Sequence, residues 1–249
     1  MKIKKEKSVS AFNRDVSLKG RYLYTTEEAY SLRVSRERQV KEIIDTILEN
    51  YKRRLKVLDI GCGDGTFALI LIKAISPKYI LGFDPAKKGV ESAKKRLPKK
   101  YSGKIEFQNF SIYDADSKIK KDFFDIGVAW GVFHHLYYPQ KAIKKISKVL
   151  DEIIILEPNG FNPFLKIIEK TSKYHKEHEE KSYWPPTFRS WFKNNGYILK
   201  KESFHCLVPY FCNEKIAKIL KMIEPFIEKT PIINKFFCGA VLFYFVKEN

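Results

Sequence analysis

Short runs of branched apolar residues alternate along this chain with stretches whose apolar positions recur at helical spacing. Lys56 to Ile60 is the first such run, and Thr66 to Ile75 carries the spacing of a packed helix. Tyr79 to Asp84, Lys104 to Phe110, the segment from Phe124 into Trp130, and Glu152 to Pro158 continue the series. Strands separated in this way predict a parallel sheet with helices on both faces. Tyr197 to Val208 and Phe237 to Val246 read as two closing strands, with a helix expected over Thr187 to Asn195. An amphipathic helix is expected from Ser35 to Asn50, ahead of the first strand. Asn213 to Glu228 places Ile216, Ile219, Leu220, Ile223, Phe226 and Ile227 on helical spacing, near Lys215, Lys218 and Lys221. A stripe of this kind ordinarily packs on its own domain, though a basic amphipathic helix can also lie on an anionic membrane or cap a pocket. With 249 residues the chain can bury a full core in one large α/β domain carrying a small cap.

The turn between the first strand and its helix reads Gly61-Cys62-Gly63-Asp64-Gly65. Glycines there supply positive φ and let the backbone approach a bound molecule, toward which the helix N–H groups point. A dinucleotide fingerprint requires Gly-x-Gly-x-x-Gly, whereas this chain has Phe67 or Ala68 where the third glycine or its substitute would fall. Asp64 would also repel a pyrophosphate, yet it suits a sulfonium ligand carrying an ammonium group. Strand, turn and helix resemble motif I of the class I S-adenosylmethionine-dependent methyltransferases, in which a carboxylate at the strand end precedes the glycines. Asp59 stands at that position. Asp84 ends the second strand about 20 residues after the turn, where a βαβ unit places its ribose carboxylate.

The resemblance covers about Lys56 to Pro158 and implies S-adenosylmethionine as donor, with S-adenosylhomocysteine as product. It implies a Rossmann-like seven-stranded, mostly parallel sheet with an antiparallel last strand, helices on both faces and a small cap. The implied cofactor-binding residues are Asp59, Gly61, Cys62, Gly63, Asp64, Gly65, Asp84 and Pro85. After the third strand the family usually places an acid for the adenine amino group. Here Ser111 stands instead, with the Ile112 N–H in reach of a ring nitrogen and Asp114 or Asp116 as replacements. Phe124 to Leu136 matches the fourth-strand region of small-molecule methyltransferases, placing Ala129 and Trp130 beside the methionine part of the donor. His135 occupies a position where the family commonly has histidine, and His134 adjoins it. Either could act as a general base toward a hydroxyl or ammonium acceptor. No metal is expected to be required.

Basic residues number 47 against 29 acidic ones, a net charge of +18. Thermophile-like usage of Lys, Glu and Ile raises both signs together and leaves this surplus unexplained. RNA, an anionic lipid surface or a phosphorylated acceptor would all be attracted to it. Cys62, Cys206, Cys212 and Cys238 show no Cys-x-x-Cys spacing, which removes support for zinc or dithiol chemistry. No apolar run follows the charged start, and Ala240 to Val246 is far shorter than the ~20 residues of a membrane span. A cytoplasmic protein without a transmembrane segment is expected.

Residues 1–51 are expected to form a helical lid, in which Tyr22, Tyr24, Tyr30 and Arg33 could touch donor or acceptor. Residues 52–249 form the main domain, with a cap inserted at 160–186 and a helix at 213–229. Segments leaving the carboxyl ends of parallel strands lie over the ligand crevice. Glu157, Asn159, His175, Tyr183 and Trp184 are therefore candidate acceptor-binding residues, with Phe161, Phe164 and His178 also in that segment. The fourth strand ends in Ala129-Trp130-Gly131-Val132, without the Asn/Asp-Pro-Pro-Tyr sequence that grips an exocyclic amine in base-modifying enzymes. Small-molecule or lipid-intermediate methylation is the leading expectation. Alternatives are a tRNA or rRNA methyltransferase using the basic surface, and a module that binds the cofactor without transfer.

Overall fold

The computed structural model describes residues 7–25 and 29–248. Seven strands form one sheet in the order β3-β2-β1-β4-β5-β7-β6. These are β1 (Lys56–Ile60), β2 (Tyr79–Phe83), β3 (Ile105–Gln108), β4 (Ile126–Trp130), β5 (Glu152–Pro158), β6 (Tyr197–His205) and β7 (Ala240–Lys247). The first five run parallel, and β7 inserts antiparallel between β5 and β6. The expected α/β fold with an antiparallel last strand is thus observed.

Eleven α-helices accompany the sheet among the described residues: α1 (Lys7–Lys19), α2 (Tyr30–Asn50), α3 (Thr66–Ala74), α4 (Lys87–Arg96), α5 (Ala115–Lys118), α6 (Pro139–Ile146), α7 (Pro163–Thr171), α8 (Lys173–His178), α9 (Pro185–Lys193), α10 (Glu214–Lys229) and α11 (Ile233–Phe237). Alternation along β5 shows why both faces need helices. Ile153 and Ile155 join a core with α6 and α9, while Ile154 and Leu156 join a core with α2, α3 and α4. In the first layer Phe192 is fully buried and stacks on Phe245 with ring centroids 4.2 Å apart.

Three expectations change. A lid over all of residues 1–51 does not form, because Val40, Ile43 and Ile47 bury α2 in the sheet core and leave only the part before it as cover. No separate helix is read from the sequence ahead of Ser35 within that lid, yet α1 forms there, held by its contacts with α4 and α8. The last two strands are shorter than drawn: Cys206 takes a positive φ of 67° and ends β6, while Phe237 closes α11 rather than opening β7.

Replacing Phe192 with Ala is expected to destabilise the protein by about 3–5 kcal/mol through the cavity it leaves, measured by urea unfolding.

Candidate donor and acceptor site

The glycine turn is built by backbone groups that meet across two strand ends. Gly61 and Cys62 both donate their N–H to the Phe83 carbonyl, at 2.9 and 3.0 Å. Gly61, Gly63 and Gly65 have φ of 72°, 53° and 77°, a region closed to most side chains. A Cβ on Gly63 would meet the Tyr22 ring at 2.5 Å, and one on Gly65 would meet Ala93 and Phe107 at 2.8 Å. The turn therefore packs against α4 and the N-terminal segment as well as facing a ligand.

Three buried carboxylates surround this turn with different partners. Asp84 accepts from the Gly63 N–H at 3.0 Å and the Ala86 N–H at 2.7 Å. Asp64 accepts from the Thr25 hydroxyl at 2.7 Å, the Tyr22 N–H at 3.3 Å and the Thr66 N–H at 3.1 Å, and pairs with Arg96 at 3.1 Å. Asp59 is only 1% exposed, and its Oδ2 has no hydrogen-bond partner. Burial, reinforced by the charge of Asp84, raises the Asp59 carboxyl to about 8. Burial also raises Asp84, and the two N–H bonds hold it back to about 6. An orphaned acceptor beside a glycine cradle fits a donor that carries an ammonium group.

A cavity of about 70 Å³ opens beyond the carboxyl ends of β1, β2 and β4. Gly61, Asp84, Pro85, Ser111 and Ile112, all expected at the donor, line it together with His135. Phe83, stacked on Phe110 at 4.4 Å, supplies an apolar wall that the sequence reading did not single out. Ser8, Val9 and Phe12 of α1, with Tyr22 and Tyr24, form the roof. Ligand pockets usually enclose roughly 300–1,000 Å³, so the cavity as it stands is smaller than a nucleoside-sized ligand occupies.

Several donor residues stand elsewhere than expected. Asp64 is taken up by Thr25, Tyr22 and Arg96 and clasps the roof instead of lining the cavity. Cys62 is buried in the core and Gly65 is packed against α4, so both shape the turn from behind. Gly63 meets the roof tyrosine. Ala129 is core, and Trp130 donates its Nε1–H to Gln39 at 2.7 Å while packing on Phe67. The cavity wall after β4 is made by Gly131 and Val132 instead. Tyr30 and Arg33 lie against each other, with Lys218 of α10 over the Tyr30 ring, outside the cavity lining.

On the acceptor side, Glu157 ends β5 and accepts from the N–H groups of Val132, Phe133 and His134 at 2.9 to 3.0 Å. It also holds His134 Nδ1 at 2.8 Å. Asn159 donates to the carbonyls of Lys235 and Cys238 at 2.8 Å and is fully buried. Both polar side chains are used structurally, which corrects the expectation that they contact the acceptor. Trp184 is 58% exposed with its edge on Phe161, and Tyr183 donates to the Leu136 carbonyl at 3.3 Å. His175 pairs with Glu180 at 3.0 Å.

Four of the five histidines meet here, brought together by the turn after β4 and the inserted cap. His135 places Nδ1 3.0 Å from the His178 carbonyl. A carbonyl only accepts, so Nδ1 carries the proton and the Nε2 lone pair remains on the ring that lines the cavity. Burial and the neighbouring His134 lower His135 to about 3, keeping it neutral. Burial opposes a charge on His134, but the Glu157 carboxylate outweighs it and raises the histidine. Burial likewise disfavours the Glu180 carboxylate, yet the bond to His175 and the nearby His134 and His135 bring it down to about 2. His134, His135 and Glu180 each bring a donor atom within 4.8 Å of the others. His178, a candidate of the cap segment, enters through its main-chain carbonyl, whereas Glu180 and Phe12 carry no signal in the sequence, since only the folded cap and α1 bring them to β4.

Because Asp59 has a folded value above the ~3.9 of an unfolded aspartate, the folded state binds the extra proton between those values. Stability of the ligand-free protein should therefore fall as pH rises from about 4 to about 8. Asp59→Asn is expected to reduce this fall, so that at about pH 8 the variant melts above the parent, as read by thermal denaturation across the range.

Residues 51–201 match the family described as a methyltransferase domain. A malonyl-[acyl-carrier protein] O-methyltransferase of Paenibacillus sp. (strain JDR-2) is 26% identical over 141 residues, covering 54% of this chain and 51% of that protein. The chain thus spans about half the length of this curated relative. Magnesium protoporphyrin IX methyltransferase of Synechocystis PCC 6803, solved with bound SAH, superposes with a TM-score of 0.65 at 14% identity, covering 96% of this chain and 95% of that one. An S-adenosylmethionine-dependent methyltransferase of Thermotoga maritima gives a TM-score of 0.65 at 14% identity, covering 97% and 100%. With a glycine cradle at β1, acids at both strand ends and a family match over more than half its length, this chain belongs to the class I S-adenosylmethionine-dependent methyltransferases.

Proposed function

We propose that this protein transfers a methyl group from S-adenosylmethionine to a small-molecule or lipid-intermediate acceptor, at a hydroxyl oxygen. The observation that carries this reading is His135, whose Nδ1 is tied to a carbonyl and whose ring lines a cavity roofed by α1. A roofed, largely apolar cavity suits a compact acceptor better than a tRNA or rRNA strand. An oxygen acceptor agrees with the O-methyltransferase among the relatives.

When bound, S-adenosylmethionine supplies an electrophilic methyl group on a positively charged sulfonium. Asp59 Oδ2 would receive the ammonium group, and Asp84 the ribose hydroxyls. Ser111, Ile112 and the Phe83 ring would border the adenine. The aromatic roof of Phe12, Tyr22 and Tyr24 excludes water and narrows the space in which the acceptor can lie. Neutral His135 accepts a hydrogen bond from the acceptor at Nε2 and takes its proton as the new bond forms. A methylated hydroxyl is a much stronger acid than imidazolium, so the low basicity of His135 does not prevent this. His134, fixed by Glu157, holds the neighbouring ring in place, with centroids 3.8 Å apart.

Calorimetric titration with S-adenosylmethionine and S-adenosylhomocysteine, with NAD as control, tests the donor assignment, and binding of NAD alone would overturn it. Asp84→Ala is expected to weaken donor binding by roughly 1.5–3 kcal/mol, the value of a charge-assisted hydrogen bond. An unchanged dissociation constant would remove Asp84 from the ribose role. His135→Ala should leave donor affinity intact while slowing turnover on the order of 10²–10⁴-fold, followed with labelled donor and lipid or metabolite fractions. Equal turnover by variant and parent would return His135 to a purely structural role.

A further inference from the structure

Helix α10 buries only part of its apolar side. Its inward side carries Ala217, the half-buried Leu220 and Ile227, and two acids, Glu224 accepting from the Leu207 N–H at 3.0 Å and Glu228 from the Cys206 N–H at 2.9 Å. Arg38 pairs with Glu228 at 2.7 Å and completes the anchor. Four apolar residues turn outward: Phe226 is 73% exposed and Met222 70%, with Ile216 and Ile219 more than half exposed. The expectation that this stripe packs on its own domain holds only for Leu220 and Ile227, which are half-buried against the cores. Its acids, not its apolar positions, satisfy the backbone N–H groups that follow β6.

The exposed surface continues beyond this helix. Ile232 and Phe236 lie in and beside α11, which packs on α10, and Phe237 meets Phe164 of α7 with ring centroids 6.2 Å apart. Ile167 of α7 is also exposed. Both inserted segments, far apart in sequence, thus converge on one apolar face. It is held from below by Asn159 and Asn162, which donate to carbonyls of Lys235, Phe237 and Cys238. Large contiguous apolar surface is unusual on a monomer and marks an interaction site.

Charge identifies the occupant. Lys170, Lys215, Lys229 and Lys235 are exposed on these same segments and form no salt bridge among the described residues. A second copy docked through a two-fold axis would set this basic rim against itself, on a chain whose net charge is already +18. A negatively charged apolar partner is required instead. We propose that the α7–α10–α11 face is a peripheral docking surface for an anionic lipid bilayer. The side chains of α10 and α11 enter the acyl boundary and the lysines meet the headgroups. No helix among the described residues is long and apolar enough to cross a membrane, so the contact is interfacial. The sixteen residues of α10 would lie along the surface for about 24 Å.

The test is co-sedimentation of the full chain with vesicles of phosphatidylcholine, alone or mixed with phosphatidylglycerol, and it does not depend on methyl transfer. Binding to the mixed vesicles, weakened by salt and much poorer on phosphatidylcholine alone, is expected. The double substitution Met222→Asp with Phe226→Asp, at exposed positions, should lower partitioning by about tenfold or more, with circular dichroism checking that the fold is kept. Equal vesicle binding by the folded variant would overturn the proposal, as would failure of the parent to bind either vesicle. Sedimentation velocity showing parent dimers that the substitutions disperse, without vesicle binding, would assign the face to self-association instead.

Discussion

Three carboxylates buried around one strand-to-helix turn constrain the rest of this structure. Water cannot solvate Asp59, Asp64 and Asp84, so each needs its own answer to the cost of burial. Asp84 is answered by two backbone N–H groups, which tie the glycine turn to the end of β2. Asp64 is answered by Arg96 and by the segment at Tyr22 and Thr25, which draws the chain before α2 across the cavity. Asp59 has an oxygen without a protein partner. The fold thereby holds one acid in reserve, at the expense of ligand-free stability above the pH where that acid would ionise.

The second polar centre follows the same logic with a different outcome. Glu157 gathers three N–H groups and His134, so the short turn after β4 is locked before any acceptor arrives. That leaves His135, whose tautomer is set by the His178 carbonyl of the inserted cap. Cap and roof also interact directly, since His178 Nε2 lies 3.0 Å from Asp15 of α1. The roof is therefore joined physically to the element that orients the histidine, through residues outside the parallel sheet.

The glycine turn and the acids that flank it were legible because their signals are local. A branched run, glycines at single-residue spacing and an acid at the next strand end occupy fewer than thirty consecutive residues, from Lys56 to Asp84. Their backbone requirements can be read directly from residue type. The misassigned residues share a different property. Asp64, Glu157 and Asn159 have the right chemistry for ligand binding, but each meets backbone or side-chain donors from remote parts of the chain. Sequence position reveals a polar group's capacity, whereas its partner depends on what packs beside it.

The sequence alone therefore determined the sheet class, the donor turn, the acids at the ends of β1 and β2, and the histidine pair after β4. Periodicity and glycine spacing express local conformational demands that few other folds satisfy. Tertiary structure decided that α1 roofs the cavity, that the cap's His178 sets the tautomer of His135, and that α10 faces outward with part of its apolar stripe. Those outcomes depend on polar and apolar partners far apart in the chain. Glu224 and Glu228 gained partners in the loop after β6, and the hydrophobic pattern of α10 alone could not reveal that these acids would share the inner face with Leu220 and Ile227 while Ile216, Ile219 and Phe226 stay exposed.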